Sequence, residues 1–332
     1  MAKHKRSLMT INSAIDFAKY IPKEVGEIKN HQTDLPRIAK NLRIVEAIEQ
    51  SLVEIPTSHL MLNEDARDMS GLLDNSVHLI LTSPPYWNLK KYLDGDNQLG
   101  DIEDYSDFIF QLNKVWEHAF RVLVPGGRLV CVVGDVCLSR KRNKGEHAVI
   151  PLHSTIQESC RKIGFTNLAP IIWHKISNAK FEASGNSGSF LGKPYEPNSV
   201  IKNDIEFILM LRKPGGYRSV CLEKRLLSVI SEANHKKWFN QIWSGVTGAS
   251  TKNHPAPYPL ELADRLVRMF SFVGDTVLDP FMGTGTTAIA SAKSGRNSVS
   301  FEINKTYIEF ARKRFREECT KFVFNYTLEV KS

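Results

Sequence analysis

The chain has 332 residues, 42% hydrophobic and 24% charged, enough apolar material for one large or two moderate globular domains. A net charge of +8 and a pI near 9.1 permit attraction to nucleic-acid phosphates. The 5 cysteines are odd in number and hold no CxxC pair, so neither a zinc site nor a disulfide framework is indicated; without a secretory signal or an apolar run of about twenty residues, the expected setting is cytoplasmic, with no membrane contact.

Residues 1–57 read as a helical extension. After Pro36 the apolar residues Ile38, Leu42, Val45, Ile48 and Leu52 recur at helical spacing, and Pro56 ends that pattern. From residue 58 strands and helices alternate. His59 to Asp65 reads as a short strand ending in acid, and Val77 to Thr82 as the strand leading into Ser83-Pro84-Pro85-Tyr86-Trp87. Proline lacks an N–H, fixes its own φ and pushes its predecessor toward extended geometry, so two in a row stop the strand in a rigid turn. Taken alone, that turn is equally a stiffened loop with Tyr86 covering the core.

Residues 104–123 carry Phe108, Leu112, Val115, Ala119 and Val122 at helical spacing; Pro125-Gly126-Gly127 breaks that helix, and Arg128 to Val133 forms the next strand. Residues 139–146 form a basic loop with Arg140, Lys141 and Arg142. Pro151 to Gly164 predicts a helix, Leu168 to Trp173 a strand, and Ile205 to Leu211 a buried strand. Two irregular patches surround that last strand, residues 176–203 with Lys193 and residues 213–250 with Arg218. Leu260 to Phe270 predicts a helix, Asp275 to Leu278 a strand, Thr287 to Lys293 a helix, Asn297 to Glu302 a strand and Lys305 to Glu318 a closing helix. Such alternation predicts an α/β fold built on a doubly wound, mostly parallel sheet.

The strand ending at Leu278 runs into Asp279-Pro280-Phe281-Met282-Gly283-Thr284-Gly285-Thr286-Thr287. Strand, glycine pair and helix make a nucleotide-binding turn, with glycines for the bend and free N–H groups at the helix start. With Glu302 in place for a ribose, a nicotinamide or flavin dinucleotide fits the looser pattern. Asp279 argues against a pyrophosphate and for an ammonium group, and Phe281 fills a place that phosphate-binding turns keep small. A nucleoside-bearing zwitterion answers better, and S-adenosylmethionine is one.

Ser83-Pro84-Pro85-Tyr86 followed, far downstream, by Asp279-Pro280-Phe281-Met282-Gly283-Thr284-Gly285 resembles the beta class of DNA amino-methyltransferases, which methylate the exocyclic nitrogen of cytosine or adenine. Asn253-His254-Pro255-Ala256-Pro257-Tyr258-Pro259 is similar to that class's motif ahead of the cofactor turn, and the likeness spans roughly residues 58–318. The resemblance implies a Rossmann-like methyltransferase fold with an antiparallel strand and permuted motif order. Residues 58–138 would be the catalytic half, 139–250 core strands with inserted DNA-recognition loops, and 251–320 the cofactor half.

It also implies roles. Ser83 and Pro84 would accept the two N–H bonds of the target amino group, with Pro85 stiffening the turn and Tyr86 stacking on a flipped base. S-adenosylmethionine would meet Asp65, His254, Pro255, Ala256, Asp279, Pro280, Phe281, Gly283, Gly285, Thr286 and Glu302. Trp87, Arg140, Lys141, Arg142, Lys193 and Arg218 are candidate contacts to double-stranded DNA. The serine form goes mostly with cytosine N4, though Thr-Ser-Pro-Pro-Tyr occurs in adenine N6 enzymes too. A cognate restriction endonuclease is the expected partner, in a monomer or homodimer. The competing readings are a non-catalytic DNA-binding regulator on the same fold and a nucleotide-dependent oxidoreductase.

Overall fold

The computed structural model describes residues 15–89, 97–139, 141, 143–175, 203–248, 258–320 and 325–331. Helices α1 (His31–Ala39) and α2 (Leu42–Leu52) come first. The apolar spacing predicts one helix through this region, but the chain breaks at Asn41. Its backbone is extended and its side chain accepts from the Ile44 N–H at 3.3 Å, an N-cap that satisfies a free donor and starts a second helix. Ile38 is therefore buried from α1, and Leu42 faces out.

Strand β1 (Thr57–Leu62) is followed by β2 (Val77–Thr82), α3 (Tyr105–Val122) and β3 (Leu123–Val133). The helix stops before Pro125-Gly126-Gly127, and the Pro-Gly-Gly forms an irregular start to β3, where its register with β2 shifts. A hairpin of β4 (Val136–Leu138) and β5 (Ala148–Ile150) leads to α4 (Leu152–Ile163), β6 (Thr166–His174) and β7 (Ile205–Arg212). Two short helices, α5 (Leu222–Leu227) and α6 (Glu232–Trp238), precede β8 (Ile242–Trp243) and α7 (Leu260–Phe270). The chain closes with β9 (Thr276–Asp279), α8 (Thr286–Lys293), β10 (Asn297–Phe301), α9 (Lys305–Thr320) and β11 (Tyr326–Lys331).

The sheet order is β11-β1-β10-β9-β2-β3-β7-β6-β8. Its pairings are parallel except those that β7 makes with β3 and β6, the mostly parallel sheet with one reversed strand that the resemblance implies. Strands buried on both faces need apolar residues at every position. Accordingly Ile80 and Leu129 join a core under α3 and α4, while Leu79, Leu81, Val130 and Val132 join a second core under α7. Between β9 and β2 the winding reverses: β9 leads through α8 to β10 on one side, and β2 through α3 to β3 on the other. Ligand crevices in open α/β sheets form at the carboxyl ends of strands beside such a reversal. Ser83 and Asp279 both fall there.

The structure corrects two expectations. Residues 213–248 are not simply a DNA-facing loop: Trp238 and Trp243 are buried in the α7-side core. Arg218, a candidate DNA contact, pairs with both carboxylate oxygens of Asp275. Asp275 immediately precedes β9, so Arg218 lies at the amino end of the sheet, away from the catalytic turn. The edge strand β11, in parallel register with β1, goes beyond the expected closing helix. At the amino end, β3 and β7 also set Arg128 directly across from Arg212. Arg128 lies over the Phe270 ring at 4.6 Å, and no described carboxylate pairs with either guanidinium. Burial and the charge of Arg212 pull the Arg128 pKa down.

Trp116 of α3 is fully buried and meets Phe281 edge-on at 6.4 Å, joining the helical layer to the glycine turn. Trp116→Ala is expected to lower the unfolding free energy by about 3–5 kcal/mol, read as a shift of the urea midpoint with unchanged slope.

Candidate active site

The site is built around Asp279. Its side chain has no exposed surface, and an isolated buried carboxylate is costly unless donors surround it. Thr82 donates its hydroxyl to Oδ1 at 2.7 Å, across 197 residues of chain. The Thr287 hydroxyl donates to Oδ2 at 2.6 Å, the Phe281 N–H to Oδ1 at 3.1 Å and the Tyr258 hydroxyl to Oδ2 at 3.3 Å. Tyr258 and Thr287 also touch through their hydroxyls. Burial raises the Asp279 carboxyl pKa against these donors. Asp279 thus ties the end of β2 to the end of β9 from below the cleft. It is not open to meet an ammonium group directly, which corrects the sequence expectation.

The two glycines of the turn do different work. Gly283 lines the cleft, and its N–H donates to Glu302 Oε2 at 2.9 Å. Gly285 has φ +78°, and a Cβ there would stand 3.1 Å from Ala311 Cβ in α9, so it is glycine for backbone and packing reasons. Thr286 is buried and takes a bond from Arg314 Nη1 at 2.9 Å. The same nitrogen reaches Thr284 O and Oγ1, so Arg314 braces the turn from behind. Gly285 and Thr286, both expected at the ligand, support the turn instead.

Glu302 follows β10, the neighbour of β9. Oε1 accepts from the Asn304 N–H at 2.9 Å, the Ile303 N–H also bonds the carboxylate, and acceptor capacity is left for a further donor. Although Glu302 is only half-buried as a residue, its carboxyl is packed among protein atoms, and burial pushes its pKa up to about 7.

Ser83, Pro84, Pro85, Pro280, Phe281, Gly283 and Glu302 line one cleft. Asp65 is at its edge, but Arg67 grips the carboxylate through Nε and Nη2 at 2.8 and 2.5 Å; the sequence reading did not foresee that partner. Asn97, Gln98, Leu99, Gly100, Ile303 and Tyr307 also line the cleft. They follow a polar loop or flank a known acid, and no motif marks them.

Tyr86 is nearly covered, at 7% exposure. Its hydroxyl lies 3.4 Å from Ser83 Oγ and donates to Glu206 Oε2 at 3.2 Å. The ring expected to stack on a base is therefore packed into the wall in this state. Trp87 takes a left-handed backbone, φ +49°, and sets its ring edge-on to Tyr105 at 5.3 Å, packing inward rather than standing out toward DNA. Lys141 is exposed in the turn between β4 and β5, beyond the carboxyl end of β3. His254, Pro255, Ala256, Arg140, Arg142 and Lys193 lie outside the described residues.

A family model described as DNA methylase matches residues 77–313. The Type II methyltransferase M.MjaI of Methanocaldococcus jannaschii is 38% identical over 285 residues, covering 76% of this chain and 90% of that protein. The Type II methyltransferase M.MthZI of Methanothermobacter thermautotrophicus is 35% identical, covering 79% and 77%. Among solved structures, a candidate DNA modification methylase of Thermus thermophilus, complexed with S-adenosyl-L-methionine, is 47% identical with a TM-score of 0.67, covering 82% of this chain and 98% of that one.

A carboxyl whose pKa is raised from 4.5 to about 7 on folding binds its proton more tightly in the folded chain. That contribution to stability is fully present below about pH 4.5 and is lost as pH rises through about 7. Glu302→Gln removes the loss. Relative to wild type it is expected to gain on the order of 1–2 kcal/mol between pH 5 and pH 8, measured by thermal unfolding at the two pH values.

Proposed function

The chain belongs to the family of DNA methylases that modify the exocyclic amino nitrogen of cytosine or adenine, and from that premise we propose that it methylates cytosine N4 in a specific duplex sequence, as the modification half of a restriction-modification pair. The carrying observation is that the Ser83 turn and the Glu302–Gly283 turn line a single cleft. One side suits a nucleobase amino group, the other a nucleoside.

The methyl donor is S-adenosylmethionine. The residues present fit it: Glu302 offers a carboxylate acceptor for the ribose, Phe281 an apolar face, and Gly283 a close approach of backbone. Asp65, held by Arg67, lines the cleft and would meet the adenine amino group, and the resemblance implies that His254, Pro255 and Ala256 meet the cofactor. Asp279 acts through the turns it clasps, and Pro280, Gly285 and Thr286 through the shape of the glycine turn. When bound, the donor supplies an electrophilic methyl group.

The protein's part is to make the amino nitrogen nucleophilic. That lone pair is delocalised into the base ring. Accepting one N–H at Ser83 Oγ and the other at the Pro84 carbonyl draws the nitrogen toward tetrahedral geometry and frees the pair for attack. Pro84 and Pro85 hold both acceptors rigid, so little reorganisation is left for the reaction itself. A stacked base cannot reach the cleft, and flipping it out costs a few kcal/mol. Tyr86 would meet the flipped base from the wall, its ring where it stands and its hydroxyl still on Glu206. Lys141, with Arg140, Arg142 and Lys193, would meet phosphates; Arg218 is not among the contacts.

Cytosine is favoured by serine at position 83, and the modification role by the Type II names of M.MjaI and M.MthZI. Purified protein is expected to move labelled methyl from S-adenosylmethionine to duplex DNA, with Ser83→Ala slowing turnover by about 10²-fold or more at intact folding. Mass analysis of the nucleosides is expected to show N4-methylcytosine; N6-methyladenine in its place would overturn the base assignment. Because a ribose diol donates to ionised Glu302, cofactor affinity is expected to weaken as pH falls below about 7, by up to about tenfold per unit. Calorimetry would read this slope, which is expected to flatten in Glu302→Gln.

A further inference from the structure

Methyl transfer leaves the amino nitrogen with one proton too many. Neither of its proposed partners can keep that proton near neutral pH, since Ser83 offers a hydroxyl and Pro84 an amide carbonyl. Carboxylates of the cleft such as Glu302 face the cofactor side, whereas Glu206 is joined to Ser83 itself by hydrogen-bonding atoms. It lies behind the turn and is linked to Ser83 through one phenol: Ser83 Oγ to Tyr86 OH is 3.4 Å, and Tyr86 OH to Glu206 Oε2 is 3.2 Å.

The fold places Glu206 there for a specific reason. β7 is the reversed strand, so its first residues arrive at the carboxyl end of the parallel strands, where Phe207 pairs with Val133 at the end of β3. The next residue of the chain after β3 is Gly134. A Cβ there would stand 3.3 Å from Glu206 Cγ and 3.4 Å from Tyr86 Cε2, tighter than most such contacts, so glycine gives the acid and the phenol room to meet. The second oxygen of Glu206 accepts from Lys175 Nζ at 2.7 Å, and the ammonium offsets the carboxylate's charge in a largely covered site. Lys175 in turn lies over the Trp173 ring at 5.3 Å, and Trp173 is pinned by a 2.9 Å bond from Nε1 to Val246 O.

Resting on the methyltransferase reading above, we propose that Glu206 is the proton acceptor of the reaction, reached from the target nitrogen through Ser83 and Tyr86. After the N–CH3 bond forms, an N–H bond breaks and its electron pair returns to the nitrogen. That proton passes to Ser83 Oγ as the serine's own proton moves to the Tyr86 oxygen. The phenol's proton moves to Glu206 Oε2. Nothing is oxidised or reduced, both hydroxyls end as they began, and the carboxylic acid sheds its proton to water when product leaves. The two oxygen–oxygen distances are long for proton transfer, and the relay requires them to shorten when a base fills the cleft, as catalytic hydrogen bonds commonly do.

The test is single-turnover methylation of duplex DNA by wild type, Glu206→Gln, Tyr86→Phe and the double variant. Glutamine keeps the size and an acceptor for the phenol but cannot take a proton. Each single variant is expected to slow methyl transfer by about 10²-fold. The double variant is expected to be no slower than the slower single, because both cut one path. The dissociation constant for S-adenosylmethionine by calorimetry, and KM for DNA, are expected to stay within about two-fold of wild type. Glu206→Asp, which keeps the carboxylate, is expected to recover part of the rate, and this arm decides the matter if the glutamine variant fails to fold. A folded Glu206→Gln that transfers methyl within about two-fold of wild type would overturn the relay, as would multiplicative losses in the double variant. If wild type itself transfers no methyl to DNA, the methyltransferase reading fails with it; a failure confined to the variants leaves that reading standing.

Discussion

A carboxylate with no path to water holds the site together. Asp279 takes hydroxyl bonds from Thr82 at the end of β2 and Thr287 at the start of α8. These elements lie far apart in sequence and on opposite sides of the winding reversal. Burying such a group without partners is strongly unfavourable, so the carboxylate tolerates burial only where those donors converge. That requirement fixes the spacing between the Ser-Pro-Pro turn and the glycine turn. The cleft between them follows from it, with Ser83 on one wall and Glu302 on the other.

Much of the frame could be read from residue order. The helices at 105–122, 152–163 and 260–270, and the strand at 77–82, follow from apolar spacing and their bounding prolines and glycines. The two turns carried enough chemistry to mark both halves of the cleft. Other features were hidden because they depend on tertiary partners. No local pattern says that Asp279 points down into Thr82 and Thr287, that Gly285 is glycine because of Ala311, or that Arg218 is spent on Asp275. The split at Asn41 was missed because the apolar period continues across an N-cap that interrupts the backbone.

Glu206 belongs to the same class of hidden residue. In sequence it is one acid in an apolar run, and only the reversal of β7 brings it behind Tyr86. A sheet with every strand parallel would carry the start of that strand to the opposite end, far from the target base. The reversed strand is therefore a means of delivering an acid to the end of the sheet where the parallel strands finish.

At that opposite end, Arg128 and Arg212 face each other across β3 and β7 with no described acid between them. Like charges set directly across a strand pair work against the sheet. This cost falls where no proposed step of methyl transfer takes place. At position 128 the guanidinium also lies over Phe270, so the repulsion at this pole is partly offset there, and only at position 212 does a neutral side chain relieve it without giving up a ring contact.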